Sequence, residues 1–265
     1  MKSIFTFLFC IASLSVTAQT AFYPNAPATR LKTTGVTVFN PPVASGGGGT
    51  SLNAVCVQTN VVFNSGGTAT ASLSNGTTAG NSLIVFVSQL FVTVGKLPTS
   101  CTSSGNTYYQ CGIYSNSAIA IQPGIVAFIA TNIAGGSVTV SISGGSDNFN
   151  SYRLITIEEI SGIHGVQSFV AADASGHTVS LPFTASKQFA INCLDYNNNS
   201  YPPVSGSSFS SVPWTLLGNF TGYANSDESF GVWLNPTTGY AAGSGTITLT
   251  TTGSNGDAAM ALILQ

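Results

Sequence analysis

The sequence predicts an all-β protein, an antiparallel two-sheet β-sandwich of jelly-roll type with roughly 8 to 10 strands. Apolar residues alternate with polar ones at a period of two in residues 54–63, 136–142 and 246–250, as in half-buried strands. Nearly continuous apolar runs at 83–87, 125–129 and 259–264 are typical of strands covered on both faces. No segment has the period of an amphipathic helix, which excludes a helical core.

A degenerate internal duplication relates residues 68–160 to residues 178–265. TASL at 70–73 matches TVSL at 178–181, and SLIVFV at 82–87 matches QFAINC at 188–193. IVAFI at 125–129 matches FGVWL at 230–234, and GSVTVSISG at 136–144 matches GTITLTTTG at 245–253. The spacing exceeds the period of solenoid repeats, about 20 to 50 residues. We therefore expect four strands used twice, interleaved in one sandwich because either half alone leaves sheet edges unpaired.

The first 18 residues have the form of a signal peptide. A lysine follows Met1, an apolar run covers residues 4–16, and small residues precede Gln19. The alternative, a membrane anchor, needs about 20 apolar residues, and the run is shorter. The sequence therefore predicts a secreted, extracellular protein whose mature chain does not insert into a membrane.

Residues 19–50 are predicted to be an extended arm. They are rich in proline and end in the glycine run 46–49, a composition typical of flexible tethers. Within the arm, GVTVF at 35–39 alternates as a strand does, and it would pair with the sheet of the body or with another copy. Residues 51–265 are then predicted to form a single β-sandwich domain.

Charged residues make up only 5% of the chain, against about 25% in an average domain. Hydrophobic residues make up 43%, enough to build a core. The formal net charge of −2 becomes −3 once the signal peptide with Lys2 is removed. No basic stripe is present to neutralise phosphates, which argues against nucleic acid as a partner.

Four cysteines follow the signal peptide, and they allow three pairings. Cys101 and Cys111 bracket a Gly-Asn turn, so a disulfide between them is predicted, which leaves Cys56 to pair with Cys193. The alternative is that all four are buried free thiols. No Cys-x-x-Cys or Cys/His pair has the spacing of zinc ligands, and no cofactor is predicted.

Four segments resemble a β-sandwich module that recurs in bacterial and phage extracellular proteins of unassigned function. They are AGNSLIVFV at 79–87, SGNTY at 104–108, AGGSVTV at 134–140 and YRLITIEEISG at 152–162. The resemblance covers roughly residues 60–265. It implies the fold and an extracellular location, and it carries no catalytic residues.

Glu158 and Glu159 are adjacent in a predicted strand. Neighbours in a strand point to opposite faces, so the two carboxyls cannot flank one glycosidic bond. We expect one of them to be solvated and the other to be hydrogen-bonded to Arg153 or to a loop.

His164 and His177, with Asp173 near the second, would suit a Ser-His-Asp hydrolase. No Gly-x-Ser-x-Gly elbow accompanies them. The sequence therefore predicts no catalytic residues, and a hydrolase remains the alternative.

The segment 195–203, DYNNNSYPP, is the best candidate for binding a ligand because it combines aromatic rings, amides and an acid. Sugars are held by aromatic faces together with amide and carboxylate groups. The predicted ligand-binding residues are Asp195, Tyr196, Asn198, Tyr201 and Trp214, with Tyr108 and Tyr109 taken to occupy the corresponding loop of the first half. The alternative is that the aromatic residues pack within the fold.

Asp147 and Asp257 fall in turns that match between the halves and are weak calcium candidates. The alternative is that aspartate stabilises the turns there, and no metal is predicted.

The leading functional prediction is a secreted, non-catalytic β-sandwich that binds a surface or a polysaccharide, with a glycan or cell-surface ligand as partner. The rival is a structural subunit of an extracellular fibre or coat, which self-associates when its N-terminal arm adds a strand to a neighbour's sheet.

Overall fold

The computed structural model describes residues 30–33, 36–39, 54–65, 69–89, 97–115, 124–145, 152–174, 178–184, 189–196, 205–208, 215–223, 226–234, 244–250 and 257–265. Eighteen strands lie in these ranges. They are β1 (Arg30–Thr33), β2 (Val36–Phe39), β3 (Val55–Ser65), β4 (Ala69–Ser72), β5 (Ser82–Gln89), β6 (Ser100–Thr102), β7 (Tyr109–Ser115), β8 (Gly124–Ala130), β9 (Thr139–Ser143), β10 (Tyr152–Ser161), β11 (Val166–Ala174), β12 (Thr178–Thr184), β13 (Phe189–Tyr196), β14 (Ser205–Ser208), β15 (Thr215–Tyr223), β16 (Ser226–Leu234), β17 (Ser244–Thr250) and β18 (Asp257–Leu264).

All the strand pairs of these sheets are antiparallel, and the described residues contain no helix. The predicted all-β class with antiparallel sheets is therefore confirmed. Two sheets have five strands, in the orders β3-β10-β5-β8-β7 and β11-β18-β13-β16-β15. Two have three strands, β4-β9-β6 and β12-β17-β14, and the hairpin β1-β2 is a sheet of its own.

The predicted strand count was too low. Short strands such as β6, with three residues, carry too few positions to show alternation. Irregular pairing also hides strands, because the register shifts between Gln110 and Gly112 in β7 and between Leu216 and Gly218 in β15. An extra residue in one strand shifts every later side chain to the other face, so the period of two is lost from the sequence.

The two halves of the chain have the same strand order. Adding eight to each strand number of β3-β10-β5-β8-β7 gives β11-β18-β13-β16-β15, and β4-β9-β6 becomes β12-β17-β14 in the same way. We call strands that hold the same place in the two orders equivalent strands. The expected interleaving of the halves is wrong, because no sheet mixes strands from β3–β10 with strands from β11–β18. Each half has eight strands rather than four and pairs them without the other.

The registers also agree between the halves. Thr70 pairs with Ser141 on β4 and β9, while Thr178 pairs with Thr250 on β12 and β17. These are the residues that the sequence match aligns. The register shift in β7 against β8 and the shift in β15 against β16 lie at the same place, each followed by a glycine, Gly112 and Gly218 respectively.

Two hydrophobic clusters cover the two faces of the first five-stranded sheet. One lies between this sheet and β4-β9-β6 and includes Val85, Val140 and Ile157. The other lies between the two five-stranded sheets, where Phe86 and Leu154 belong to one cluster with residues of β11 and β18 such as Phe169, Met260 and Leu262. The continuous apolar runs of β5 and β8 follow from burial on both faces.

The arm contributes one hairpin to the described structure. Strand β2 corresponds to the predicted strand at 35–39, and it pairs with β1, four residues that the sequence analysis did not assign. Strand β2 also contacts β11 and β7, the edge strands of the two five-stranded sheets. The predicted signal peptide 1–18 and the rest of the predicted arm lie outside the described residues.

The predicted disulfides are not formed, because Cys56, Cys101 and Cys111 are free thiols. Cys101 belongs to the cluster against β4-β9-β6, whereas Cys111 belongs to the cluster between the five-stranded sheets. The two cysteines bracket a turn in sequence, but β6 and β7 join different sheets, so their side chains enter different cores. The thiol of Cys56, the predicted partner of Cys193, bonds the backbone oxygen of Gln58 at 3.6 Å.

Candidate functional site

Three loops meet at one end of the first half and form a surface that we call the loop face. They are residues 73–81, between β4 and β5, residues 103–108, between β6 and β7, and residues 131–138, between β8 and β9. The antiparallel register brings them together: Leu83 near the start of β5 pairs with Ala130 at the end of β8, and Tyr109 at the start of β7 pairs with Ile129.

Backbone hydrogen bonds join the first loop to the third. The amide of Thr77 donates to the carbonyl of Gly136 at 2.8 Å, and the amide of Gly136 donates back to Thr77 at 2.9 Å. The amide of Gly80 donates to Ile133, and the amide of Ile133 donates to Asn81, both at 3.0 Å. Two loops thus share a short ladder outside the regular strands, which fixes their relative positions.

Asn106 joins the second loop to the third. Its Oδ1 accepts a hydrogen bond from the amide of Ala134 at 3.1 Å, and its Nδ2 donates to Ser103 Oγ at 3.2 Å. Ser103 Oγ is in turn 2.9 Å from the hydroxyl of Tyr108. Burial raises the pKa of Tyr108 to about 12, although the bond to Ser103 lowers it, so the hydroxyl is neutral at physiological pH.

Glu159 of β10 holds the first loop of the loop face by hydrogen bonds. Its Oε1 accepts hydrogen bonds from the amide of Thr78 at 2.8 Å and from Asn81 Nδ2 at 2.6 Å, and its Oε2 accepts one from Gln58 Nε2 at 2.6 Å. Burial alone would raise the pKa of Glu159, but these hydrogen bonds outweigh it and hold the pKa below its usual value. The carboxylate is therefore ionised, buried and bonded on both oxygens, which suits an anchor of the loop.

Gly135 shows how closely the loops approach each other. Its φ of +80° is in the left-handed region, and an ideal Cβ there would lie 2.8 Å from the backbone nitrogen of Ala79. A side chain at this position would need the backbone of the neighbouring loop to move. The loop face is consequently preformed rather than adaptable.

The exposed surface of the loop face is neutral. Its exposed side chains are Ser74, Asn75, Thr78, Ala79, Ser104, Thr107, Thr131, Asn132, Ala134 and Ser137. Tyr109 lies beside them at the start of β7 and is 37% exposed. Hydroxyls, amides and one aromatic ring can bond sugar hydroxyls and stack on sugar C–H groups, whereas a charged ligand would find no counter-charge here.

Glu158 lies on the opposite face of β10, among the apolar side chains between the five-stranded sheets. It is 0% exposed, and neither carboxyl oxygen has a hydrogen-bond partner in the structure. Burial raises the pKa of Glu158 to about 8, so the group is protonated at neutral pH. The expectation that a glutamate is bonded to a loop is confirmed for Glu159, but neither glutamate is solvated. The two carboxyls point to different cores and cannot act on one substrate atom.

Of the aromatic pair of the first half, Tyr108 belongs to the loop face and Tyr109 lies beside it at the start of β7. The pair does not occupy the loop that corresponds to 195–203. Tyr109 of β7 pairs with Ile129 of β8. Leu234 of β16 is equivalent to Ile129, and it pairs with Thr215 of β15, the residue after Trp214. The start of β7 therefore corresponds to the start of β15.

The described strands separate the two parts of the predicted ligand-binding cluster. Tyr196 at the end of β13 pairs with Glu228 near the start of β16. Thr215 at the start of β15 pairs with Leu234 at the end of β16, the residue that also pairs with Ala190 of β13. At about 3.3 Å per residue, Tyr196 and Thr215 are about 20 Å apart along the strands. Asp195 shares the end of β13 with Tyr196, and Asn198, Tyr201 and Trp214 lie outside the described residues.

Neither calcium candidate is placed in a described turn. Asp147 lies outside the described residues, and Asp257 is the first residue of β18, where it pairs with Ala174. In the part of the chain that the structure describes, no group of three or more His, Cys, Asp or Glu side chains could hold a metal ion. His164 is exposed, and its amide donates to the carbonyl of Gln265 at 2.6 Å. His177, its predicted companion, lies outside the described residues.

The hydrogen bonds that build the loop face were not predicted from the sequence. The Gly-Asn and Gly-Gly pairs at 105–106 and 135–136 mark turns, but they do not say which turns touch. A weak signal was present in Gln58 within β3 and in Asn81 just before β5, because a polar side chain that is partly buried needs hydrogen-bond partners.

No helix that could cross a membrane is found among the described residues. No protein-family model matches the chain, and searches of curated proteins and of solved structures find no match either.

Proposed function

We propose that the chain is a secreted, non-catalytic β-sandwich protein that binds a neutral polysaccharide, or a surface that carries one, through the loop face. The observation that supports this most is the combination of rigidity and neutrality. Three loops are joined to each other by hydrogen bonds through Thr77, Asn81 and Asn106, and their exposed side chains carry no charge.

Preformed loops favour binding because little conformational entropy is lost when a ligand docks. Tyr109 supplies a partly exposed ring, and the threonine, serine and asparagine side chains around it supply donors and acceptors for hydroxyl groups. A neutral sugar matches this surface better than a phosphate or a carboxylate does.

The environments of Glu158 and Glu159 support the proposal that the protein is non-catalytic. Glu159 is fully occupied by the three hydrogen bonds that hold the loop face, and Glu158 is sealed between two sheets. General acid–base chemistry needs a titratable group within reach of a substrate, and neither carboxyl meets that condition.

We also propose that the two halves are copies of one jelly-roll-like unit of eight strands in two sheets. Shared strand order, shared register and the paired glycines Gly112 and Gly218 support a duplication. In this view the five-stranded sheets are the faces through which the two units pack together, as in a two-fold dimer joined into one chain.

The segment 195–203 remains a second proposed contact region of the other half, without Trp214, because the neighbouring Thr215 lies about 20 Å from Tyr196 along the strands. Tyr201→Ala tests the segment and Trp214→Ala tests the other position separately, and both are independent of the loop face of the first half.

A structural subunit of an extracellular assembly is the second candidate function. It is favoured by the β1-β2 hairpin, which lies against edge strands of the body and is joined to β3 only through residues 40–54. A segment attached in this way is suited to exchange between copies.

The glycan proposal is tested by screening residues 19–265 against neutral polysaccharides and measuring retained ligands by titration. Tyr109→Ala should weaken binding about tenfold, which corresponds to about 1.4 kcal/mol, whereas Tyr109→Phe should retain most of it because the ring remains. Thr70→Ala, at an exposed position of β4, is the matched surface control. Retention of no neutral glycan, or equal affinity for the Tyr109→Ala variant, would overturn the proposal.

A further inference from the structure

The body of the protein has two corners that correspond to each other. At the first, the edge strand β7 of one five-stranded sheet contacts the edge strand β11 of the other. At the second, the edge strand β3 contacts the edge strand β15. Since β11 is equivalent to β3 and β15 is equivalent to β7, the shared strand order maps one corner onto the other.

The first corner is occupied by the chain itself. Strand β2 contacts both β11 and β7, so the hairpin lies where the two sheet edges come together. The second corner has the same pair of edge strands, and β3 has a hydrogen-bonded neighbour, β10, on one side only. An edge strand of this kind presents unpaired backbone groups to an incoming strand.

Strand β3 is also more apolar than β11 at the matching positions near the start of the two strands. Val55 is 38% exposed and Val57 is 49% exposed on β3, and Val57 is the extra residue where the register shifts against β10. The equivalent positions are Gly165, just before β11, and Gln167, the residue of β11 that the matching register shift against β18 leaves unpaired. Transfer of a strand to β3 would therefore cover apolar surface that β11 does not offer.

We propose that the β3/β15 corner is the docking site for the β1-β2 hairpin of a second copy of this chain. The inference rests on the second candidate function and supplies its contact surface. Residues 40–54 join the hairpin to β3, and at about 3.4 Å per residue they extend to about 50 Å, enough to reach a neighbouring molecule. The donor and the acceptor surfaces differ, so the contact is heterologous and builds rings or filaments rather than closed pairs.

The test uses two complementary variants of the chain 19–265 and measures mass by light scattering across a concentration series. Deletion of residues 19–50 removes the donor, and Val57→Lys blocks the acceptor by adding a charge to the edge strand. We expect the mass of the unaltered chain to rise with concentration while each variant alone stays monomeric. An equimolar mixture of the two variants should give a heterodimer whose mass is the sum of the two variants' masses, since one intact donor meets one intact acceptor.

Controls separate this proposal from the others. Gln167→Lys, at the equivalent position of β11, should assemble as the unaltered chain does, and Tyr109→Ala should assemble normally because Tyr109 lies on β7 and not on β3 or β15. Circular dichroism verifies folding, and Val55→Lys provides a second acceptor variant.

Two results would overturn the inference in different ways. If the unaltered chain assembles and Val57→Lys and Val55→Lys assemble equally well, the corner is not the acceptor, although the assembly function stands. If the unaltered chain remains monomeric at every concentration, both the corner and the assembly function fail, while glycan binding is unaffected.

Discussion

Glu158 of β10 occupies the position that Leu262 occupies in β18. Glu158 pairs with Ile84 of β5, and Leu262 pairs with Ala190 of β13, which is equivalent to Ile84. On the other side, Glu158 pairs with Thr59 of β3, while Leu262 pairs with Phe169 of β11. The interface between the five-stranded sheets therefore has an apolar pair in one half and a polar pair at the same place in the other.

This asymmetry has an energetic consequence. Leu262 and Phe169 are both buried in the cluster between the sheets, whereas the Glu158 carboxyl enters the same layer without a hydrogen-bond partner. Burial of an unsatisfied polar group costs about 1–3 kcal/mol, even when the group is neutral. The halves are thus held together less firmly where Glu158 lies than where Leu262 lies.

Glu158 should make stability fall as pH rises. The carboxyl has an ordinary value of 4.5 when exposed in the unfolded chain, and its pKa in the folded protein is about 8. Between these values the folded state binds more protons than the unfolded state, so stability decreases by up to about 1.4 kcal/mol per pH unit and levels off above pH ~8. Urea unfolding followed across pH 5 to 9 measures the slope.

Two substitutions separate the charge of Glu158 from its polarity. Glu158→Leu, which installs the residue of the other half, should abolish the slope and raise stability at pH 8. Glu158→Gln should also abolish the slope, but without the full gain, because an amide remains unsatisfied in the core. A slope that persists in both variants would assign the pH dependence to another group.

Glu159 should have the opposite pH dependence. Its pKa lies below the usual value in the folded protein, so its stabilising contribution is complete above pH ~4.5 and is lost as pH falls through the folded pKa. Glu159→Gln should lower the free energy of unfolding by about 1–3 kcal/mol at pH 7. The amide nitrogen replaces one carboxylate oxygen, and it cannot accept the hydrogen bonds that this oxygen accepts from Gln58 or from Thr78 and Asn81. Hydrogen exchange at the Thr78 amide should speed up in the variant. Unchanged exchange there would mean that Glu159 does not hold the loop.

The fold class could be predicted from the sequence because half-buried strands alternate apolar and polar residues. The same signal placed β5, β8, β9 and β18 well, and the matched segments fall on equivalent strands. It failed for β7 and β15, where a shifted register breaks the period, and strand number was underestimated as a result.

The candidate site was less accessible from sequence, since it depends on which loops touch. Tyr109 was predicted to bind a ligand, but it was matched to the wrong loop because the segment around β15 was not recognised as a strand. The cysteine pairing failed for a related reason: closeness in sequence does not reveal that Cys101 and Cys111 face different cores.

The free thiols should be unreactive in the folded protein. Burial raises the pKa of Cys101 to about 12, and burial together with Glu158 and Glu159 raises the pKa of Cys56 to about 12. At pH 8 we expect alkylation of both to be about 10³-fold slower than in denaturant, because the thiolate is the reactive form. Peptide mapping without reductant should show no crosslink between Cys101 and Cys111. Detection of a crosslinked peptide would show that the disulfide between Cys101 and Cys111 forms and that this prediction is wrong.

Gly112 should be required where β7 packs on β18. An ideal Cβ at Gly112 would lie 2.6 Å from Met260 Sδ and 3.3 Å from Leu262 Cδ2. Gly112→Val should destabilise the protein by about 1–3 kcal/mol through overpacking. Adding Met260→Ala should recover part of this loss, giving a coupling of about 0.5–3 kcal/mol in a double-variant cycle. Gly76→Ala, whose nearest atom would lie at 3.7 Å, is the control; additive losses would show that the two sites do not touch.

Gly135 and Gly80 distinguish backbone strain from loss of loop packing. Both have positive φ, +80° and +89°, so alanine at either position is strained by about 1 kcal/mol. An added Cβ at Gly80 meets nothing within 4 Å, whereas at Gly135 it meets the backbone of Ala79. Gly135→Ala should therefore cost more and should also speed hydrogen exchange at Thr77 and Gly136, which bond across the two loops.

The same pair connects rigidity to the proposed binding. Gly80→Ala leaves the packing of the loops intact, so its affinity for a retained glycan should stay within about twofold of the unaltered chain, less than 0.5 kcal/mol. Gly135→Ala separates the first loop from the third, so affinity should fall because the loops must be ordered again when the ligand docks. Equal affinities in the two variants, with exchange raised only in Gly135→Ala, would mean that the ligand does not depend on the joined loops.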